Sequence, residues 1–356
     1  MAYSSITKPS DYFNTKLYTG NGSTQSITGV GFQPDWVWIK SRGDTSWHRS
    51  LDVVRGATKE LYQNESSAEA TEANGLTSFD SNGFSIGSNS GYNGNTVNFA
   101  SWNWLAGGTA SSNTDGSITS TVSANTTSGF SIVTWTGSGA DATVGHGLNS
   151  APTLIIVKNR TDNSTDWRVG QVLTSSNNMT NGNGYYLELN DTKASTNPGS
   201  ANQWGSTPTA PTNQVFTVGS NNSNNGSSDN MIAYCFHSVK GYSKFGSYTG
   251  NGNSDGTFVY TGFKPAWVIC KRSSGTGNWQ MFDSKREGYN VDNDGLQANL
   301  SNAEATDDDL DILSNGFKLR GSGNDLNGSG STYIYMAFAE EPLVANVGLS
   351  IPATAR

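Results

Sequence analysis

Charge is scarce in this 356-residue chain: Asp, Glu, Lys and Arg together make up 14 %, the formal net charge is −8, and no run of Lys or Arg occurs. A basic footprint for phosphate is missing, which excludes nucleic acid and an anionic membrane surface as main partners. Long apolar stretches are also missing. No segment reaches the ~18 residues a membrane helix needs, and the opening "MAYSSITKPSDYF" lacks the basic-then-apolar pattern of an export signal. The expectation is a soluble, unprocessed protein without membrane insertion. Only two cysteines occur, Cys235 and Cys270, inside the apolar runs "MIAYCF" and "AWVIC". A free Cys in such a run packs as a small hydrophobe, so buried thiols are expected and a secreted disulfide scaffold is excluded.

Catalytic chemistry is equally thin. The three histidines, His48, His146 and His237, show neither the partner spacing of a hydrolytic triad nor the clustering with Cys that a zinc site requires. They read as surface or turn residues. Asn290, Asp292, Asp294 and Gly295 match the first half of a looped calcium motif, but its twelfth position is Ser301 instead of a bidentate Glu. The segment therefore reads as a solvated turn, and no metal or cofactor is expected. Paired carboxylates of a glycosidase are the one arrangement that spacing alone leaves open.

What the chain has in quantity is glycine, 42 residues, together with Asn, Ser, Thr and 11 % aromatics. Uncharged polar residues supply turns and solvent-facing strand positions, and the aromatics supply a core. Asn-Gly, a pair that tolerates tight reversals, recurs from Asn21 to Asn327, and between the reversals lie short apolar runs such as "DWVWIK", "TLIIVK" and "TYIYMAF". No segment long enough for a packed helix shows a 3.6-residue period; Ser66 to Glu69 and Ser301 to Glu304 fit a capping box that opens at most one turn. The fold class is all-β.

Spacing then shows a repeat. Pro34, Pro152 and Pro265 each precede an apolar strand that ends six residues later at Lys40, Lys158 and Lys271, and a Thr-Gly pair lies upstream of each proline at Gly20, Gly137 and Gly250. The prolines are 118 and 113 residues apart, the length of a complete sandwich and not of a solenoid coil or propeller blade. Three tandem β-sandwich repeats, jelly-roll or lectin-like, are predicted: an N-terminal segment and repeat one over 1–108, a polar linker over 109–128, repeat two over 129–243, and repeat three with a C-terminal tail over 244–356. Repeats one and three share Leu-x-x-Asn-x-x-x-Ala-Glu-Ala-Thr at Leu61 to Thr71 and Leu296 to Thr306. Repeat two departs, with polar insertions at Ser175 to Gly184 and at Asn197 to Thr212, the second replacing that element, and is expected to present the distinctive surface. Trp47, Trp167 and Trp279 fall at matching places after the basic strand ends and are the candidate binding residues. An exposed ring there would stack on a sugar or enter a partner protein; a buried one plugs the end of a sandwich, and that is the favoured reading.

The stretches "KPSDYFNTKLYTGNGSTQSITGVGFQPDWVWIK", "ASSNTDGSITSTVSANTTSGFSIVTWTG" and "GYSKFGSYTGNGNSDGTFVYTGFKPAWV", with the closing "IPATAR", make the chain resemble repeat-containing virion structural proteins of marine tailed bacteriophages. The resemblance spans nearly the whole chain and brings no catalytic motif. It implies a non-enzymatic virion surface protein, a tail-fibre or receptor-binding component, assembled in the host cytoplasm. Its partners would be other virion proteins and a host surface glycan, and it would form a homo-oligomer. A capsid decoration or cement protein and a glycan depolymerase are the alternatives.

Overall fold

The computed structural model describes residues 4–172, 179–180, 184–197, 199, 202–287 and 289–342. Antiparallel strands dominate it, as the composition predicts. Helix among the described residues is confined to a 3-10 turn at Pro9–Asp11 and the single turns Ser90–Asn93 and Asn222–Asn225. Neither predicted capping box opens a helix; their glutamates go elsewhere, as shown below. In unit one a sheet runs in the order Phe13–Thr19, Asn98–Trp104, Trp36–Ser41, Arg49–Asp52, Lys59–Tyr62, Ala70–Thr71, and a smaller sheet holds Gln25–Thr28, Gly83–Ile86 and Leu76–Asp80. Unit two repeats the order as Phe130–Thr136, Asn230–Phe236, Leu154–Asn159, Arg168–Gln171, Leu187–Glu188, with Ala142–Gly145 and Val215–Val218 as its smaller sheet. Unit three runs Ser243–Thr249, Thr332–Pro342, Phe263–Arg272, Trp279–Asp283, Asp292–Gln297 and then continues through Ala305–Leu313, Gly316–Leu319 and Phe258–Tyr260. There one long strand, Ala305–Leu313, carries the sheet from the first layer into the second.

The segment read as a polar linker is structured. Ser120–Asn125 pairs with Phe130–Thr136 and Ser111–Asn113 pairs with Ser120–Asn125, so both extend the sheet of unit two. Alternation explains how so polar a stretch does this: Val122 points inward and is buried while Thr121 faces solvent.

Register aligns the units residue by residue. Trp36, Leu154 and Trp267 face Asp52, Gln171 and Asp283 across the neighbouring strand, and the repeated prolines lie two residues ahead of each. The central strand Trp36–Ser41 is buried along its whole length, because each large sheet is covered on both faces. Val37 and Ile39 pack against Ile27, Leu76 and Phe84 of the small sheet. Trp36 and Trp38 point the other way, into a core shared by all three units. In that shared core Trp36 stacks on Tyr234 of unit two with ring centroids 4.3 Å apart, and Phe13 stacks on Phe338 of unit three at 5.1 Å.

The repeated Thr-Gly is explained by a close approach. A Cβ on Gly20, Gly137 or Gly250 would come within 2.2, 2.1 and 2.5 Å of the carbonyl oxygens of Gly94, Gly226 and Gly328. The residues before those glycines, Asn93, Asn225 and Asn327, are fully buried. Their side-chain oxygens accept from the backbone N–H of Asn21, Ser138 and Asn251 at 2.8, 3.0 and 2.9 Å. These three Asn-Gly pairs are therefore latches between loops instead of hairpin reversals.

Candidate functional site

The tryptophan trio separates in the structure. Trp167 and Trp279 are buried, and their indole N–H groups donate to the carbonyls of Tyr62 and Glu188, each at 2.8 Å and each in the preceding unit. Trp47 is 43 % exposed and packs edge-on against Tyr62. The difference is one residue of register. Ile39, Val157 and Cys270 pair with Arg49, Arg168 and Gln280, so the residue preceding the last three is the equivalent one: His48, Trp167 and Trp279. Trp47 sits one position out, and a one-residue offset along a strand turns a side chain to the opposite face. Trp167 and Trp279 are thus unavailable as binding residues; they seal the seams between units.

The seams form a closed ring. Glu69 N donates to Arg160 O, Ser195 N to Ser273 O and Glu304 N to Arg42 O, all at 2.9 Å, running unit one to two, two to three and three to one. The same contact repeated three times with closure is cyclic geometry inside one chain. Ala194-Ser195-Thr196 stands where the other units have Ala-Glu-Ala, since Tyr186 bridges Thr196 as Glu60 pairs with Ala70. That element is therefore kept in unit two and not replaced by the segment from Asn197. The insertion at Ser175 to Gly184 lies almost wholly outside the described residues.

Two seams carry charge. Arg160 makes a paired hydrogen bond to Glu69 at 2.8 and 2.9 Å, and Arg42 meets Glu304, which also receives Arg286 at 2.9 Å. Asp52 and Asp283 hold Arg55 and Arg286 at 2.5 and 2.6 Å, all four fully buried. At the seam between units two and three the equivalent positions are Gln171, Ser195 and Ser273, so the ion pairs are lost together. The strand-ending lysines Lys40, Lys158 and Lys271 are buried, and their hydrogen bonds go to oxygens of backbone or hydroxyl, Lys158 to Ser66 O and Lys271 to Thr192 O across the seams. Loss of hydration lowers each ammonium to a pKa of about 8.

His48 and His146 are buried instead of lying on the surface. Burial, reinforced by Lys40, pushes the His48 imidazole well below its ordinary value, and its Nδ1 accepts from Trp38 Nε1 at 2.9 Å. His146 closes a loop through Thr212 O and the N–H of Leu148. The half-motif for calcium forms part of strand Asp292–Gln297, with Asp294 3.6 Å from Arg42. Among the described residues no group of three or more His, Cys, Asp or Glu is placed to hold a metal ion. Cys235 and Cys270 are buried free thiols.

The feature that repeat architecture does not demand lies in unit three. Phe258 and Tyr260 are 44 % and 48 % exposed, flanking the buried Val259. Pairing with Phe84, Phe216 and Phe317 aligns Val259 with Ile27 and Val144. The flanking positions in the other units are Ser26 and Thr28, and Thr143 and Gly145. Two of the largest apolar side chains therefore stand in water where the same fold is built with small residues. Beside them Gly246 pairs with Tyr335, where the other units pair Lys16 with Ser101 and Val133 with Ala233. A Cβ on Gly246 would lie 2.6 Å from the Tyr335 hydroxyl; without one, the strand leaves room. The result is an open groove of about 600 Å³, lined by Tyr248, Phe258, Tyr260, Tyr335, Lys244 and Ser247 among others, none of them acidic. Lys244 Nζ donates to Tyr260 O at 2.6 Å and lies 5.3 Å from the Tyr260 ring, with burial lowering its pKa. The signal was present in the sequence, "TFVYTG" against "QSITG", but it becomes legible only once register aligns the units.

No curated protein and no solved structure matches this chain. A family model described as Domain of unknown function (DUF7483) matches residues 8–342. That span takes in all three units and every seam contact described above, and the chain belongs to this family.

Proposed function

We propose that the protein is a non-enzymatic surface component of a bacteriophage virion, of tail-fibre or receptor-binding type, which engages an external ligand through the groove of unit three. The observation that carries the reading is the exposed pair Phe258 and Tyr260, set on a three-unit ring whose seams are closed. Rigid sheets that hold variable loops and edges outward suit a recognition part. Resemblance to marine phage virion proteins supports the placement on the particle, with assembly in a reducing host cytoplasm, where two buried thiols are at ease. A cement role would be favoured by a broad apolar face, whereas the exposed large hydrophobics among the described residues are Trp47, Phe258, Tyr260 and Tyr289. A depolymerase would be favoured by facing carboxylates, and no Asp or Glu lines the groove among the described residues. Because the ring reproduces cyclic closure within one chain, any homo-oligomer uses outer surfaces.

Labelling intact particles with antibody against the protein and adding soluble protein to adsorption assays tests this. Label at the tail and slowed adsorption are expected. Label over the shell would transfer the protein to the decoration class, and unlabelled particles would reject the virion assignment.

A further inference from the structure

We infer that the groove of unit three is a saccharide subsite in which a pyranose ring lies against Phe258 and Tyr260 and gives an oxygen to Lys244. The inference rests on the reading of this groove as the ligand-bearing face and names the ligand class. Size is the first argument. A volume of about 600 Å³ lies within the range of small-ligand sites, ~300–1,000 Å³. A stable protein partner would need ~800 Å² from each side, and two isolated rings do not supply it.

Chemistry is the second argument. A pyranose is apolar on the faces where its C–H bonds project and polar around its rim, so it needs flat rings and hydrogen-bonding groups together. Phe258 and Tyr260 alternate on the outer face of one strand and supply the rings. The Lys244 ammonium has three N–H donors, of which one is committed to Tyr260 O. A purely apolar ligand would take nothing from the other two N–H donors of Lys244, and the chain's net charge of −8 with no basic cluster disfavours a polyphosphate. The third argument is internal comparison. Units one and two show the same strand built without large rings: Ser26 and Thr28, Thr143 and Gly145, with Lys16 or Val133 filling the place of Gly246. Three departures in unit three, Phe258, Tyr260 and Gly246, converge on one groove.

The comparison also supplies the variants. Phe258→Ser with Tyr260→Thr copies unit one, and Gly246→Val brings in the residue of unit two, there opposite Ala233 and here opposite Tyr335, and fills the groove from its floor. The full chain would be screened on an array of bacterial O-antigen and capsular polysaccharides, and the best oligosaccharide titrated against each form. We expect wild-type binding, at least a tenfold loss in the double variant at unchanged melting temperature, and a comparable loss in Gly246→Val. Should Gly246→Val fail to fold because of Tyr335, the double variant alone decides. Absence of wild-type binding to any saccharide overturns the inference while leaving the virion reading to the labelling experiment. Binding undiminished in the double variant overturns it as well.

Discussion

Exchanging the pair Trp38 and His48 for the residues of the other units is the sharpest test of the ring. In unit one Trp38 and His48 occupy the register positions held by Ile156 and Trp167 in unit two and by Ile269 and Trp279 in unit three. A large ring on one strand is thus traded for a large ring on its neighbour. His48→Trp alone crowds Trp38, an overpacking cost of ~1–3 kcal/mol, and removes the acceptor of the buried Trp38 N–H, adding ~1 kcal/mol or more. Trp38→Ile alone leaves a void and an unpaired imidazole Nδ1, about 3 kcal/mol by the same rules. The double variant recreates the arrangement of units two and three. Its new indole faces the backbone of Gln297, the register equivalent of Tyr62 and Glu188, which accept from Trp167 and Trp279. We expect each single change to cost about 3 kcal/mol and the double to cost about 3 rather than 6, a coupling of about 3 kcal/mol at the upper end for touching residues. Urea unfolding followed by circular dichroism at pH 7.5 measures all four corners of the cycle. Additive losses would show that His48 is not the third member of the seam set and would refute the pseudo-threefold assignment.

Trp167→Ala should destabilise by about 4 kcal/mol, since it empties a buried site and orphans Tyr62 O; a thermal midpoint within a few degrees of wild type would return Trp167 to the surface. Glu304→Gln should cost about 3 kcal/mol because it strips a carboxylate from the largely buried Arg42 and the fully buried Arg286 at the seam that closes the ring. That loss would be read by denaturant unfolding, and an effect below ~0.5 kcal/mol would mean the seam is held by backbone bonds alone. Stability should rise between pH 7 and 9. Lys40, Lys158 and Lys271 have folded pKa values near 8, below the ordinary 10.5, so the unfolded chain binds more protons throughout that window and loses that advantage as pH climbs. The gain is ~1 kcal/mol per lysine, offset slightly by ionisation of the two cysteines on unfolding. Below pH 6.5 the sign is shared by His48, which is held neutral when folded, so stability should fall from pH 6.5 to 5, less steeply in His48→Trp/Trp38→Ile. A flat profile over either interval would contradict the burial assigned to these groups.

Local chemistry made much of this protein readable from its sequence. Short β-branched and aromatic runs between Asn and Gly turns can form only strands, and the fixed Pro-to-Lys spacing marks where each central strand runs. Burial of Cys235 and Cys270 follows from the apolar company they keep. The sequence could not place Trp47, because strand side chains alternate with a period of two and Trp47 lies one residue away from the register position of Trp167 and Trp279. Nor could it announce that Ser111 to Asn125, polar as it is, adds two strands to a sheet whose inner face it covers with single residues such as Val122. Ring closure belongs wholly to the tertiary structure. The contact that shuts it joins Arg42 to Glu304, 262 positions apart, and nothing in the neighbourhood of either residue names the other. The groove was decided there as well. Exposure of Phe258 and Tyr260 is a property of which strand lies beneath them, and only after Val259 is seen buried opposite Phe317 do its neighbours stand out as rings that the fold does not need.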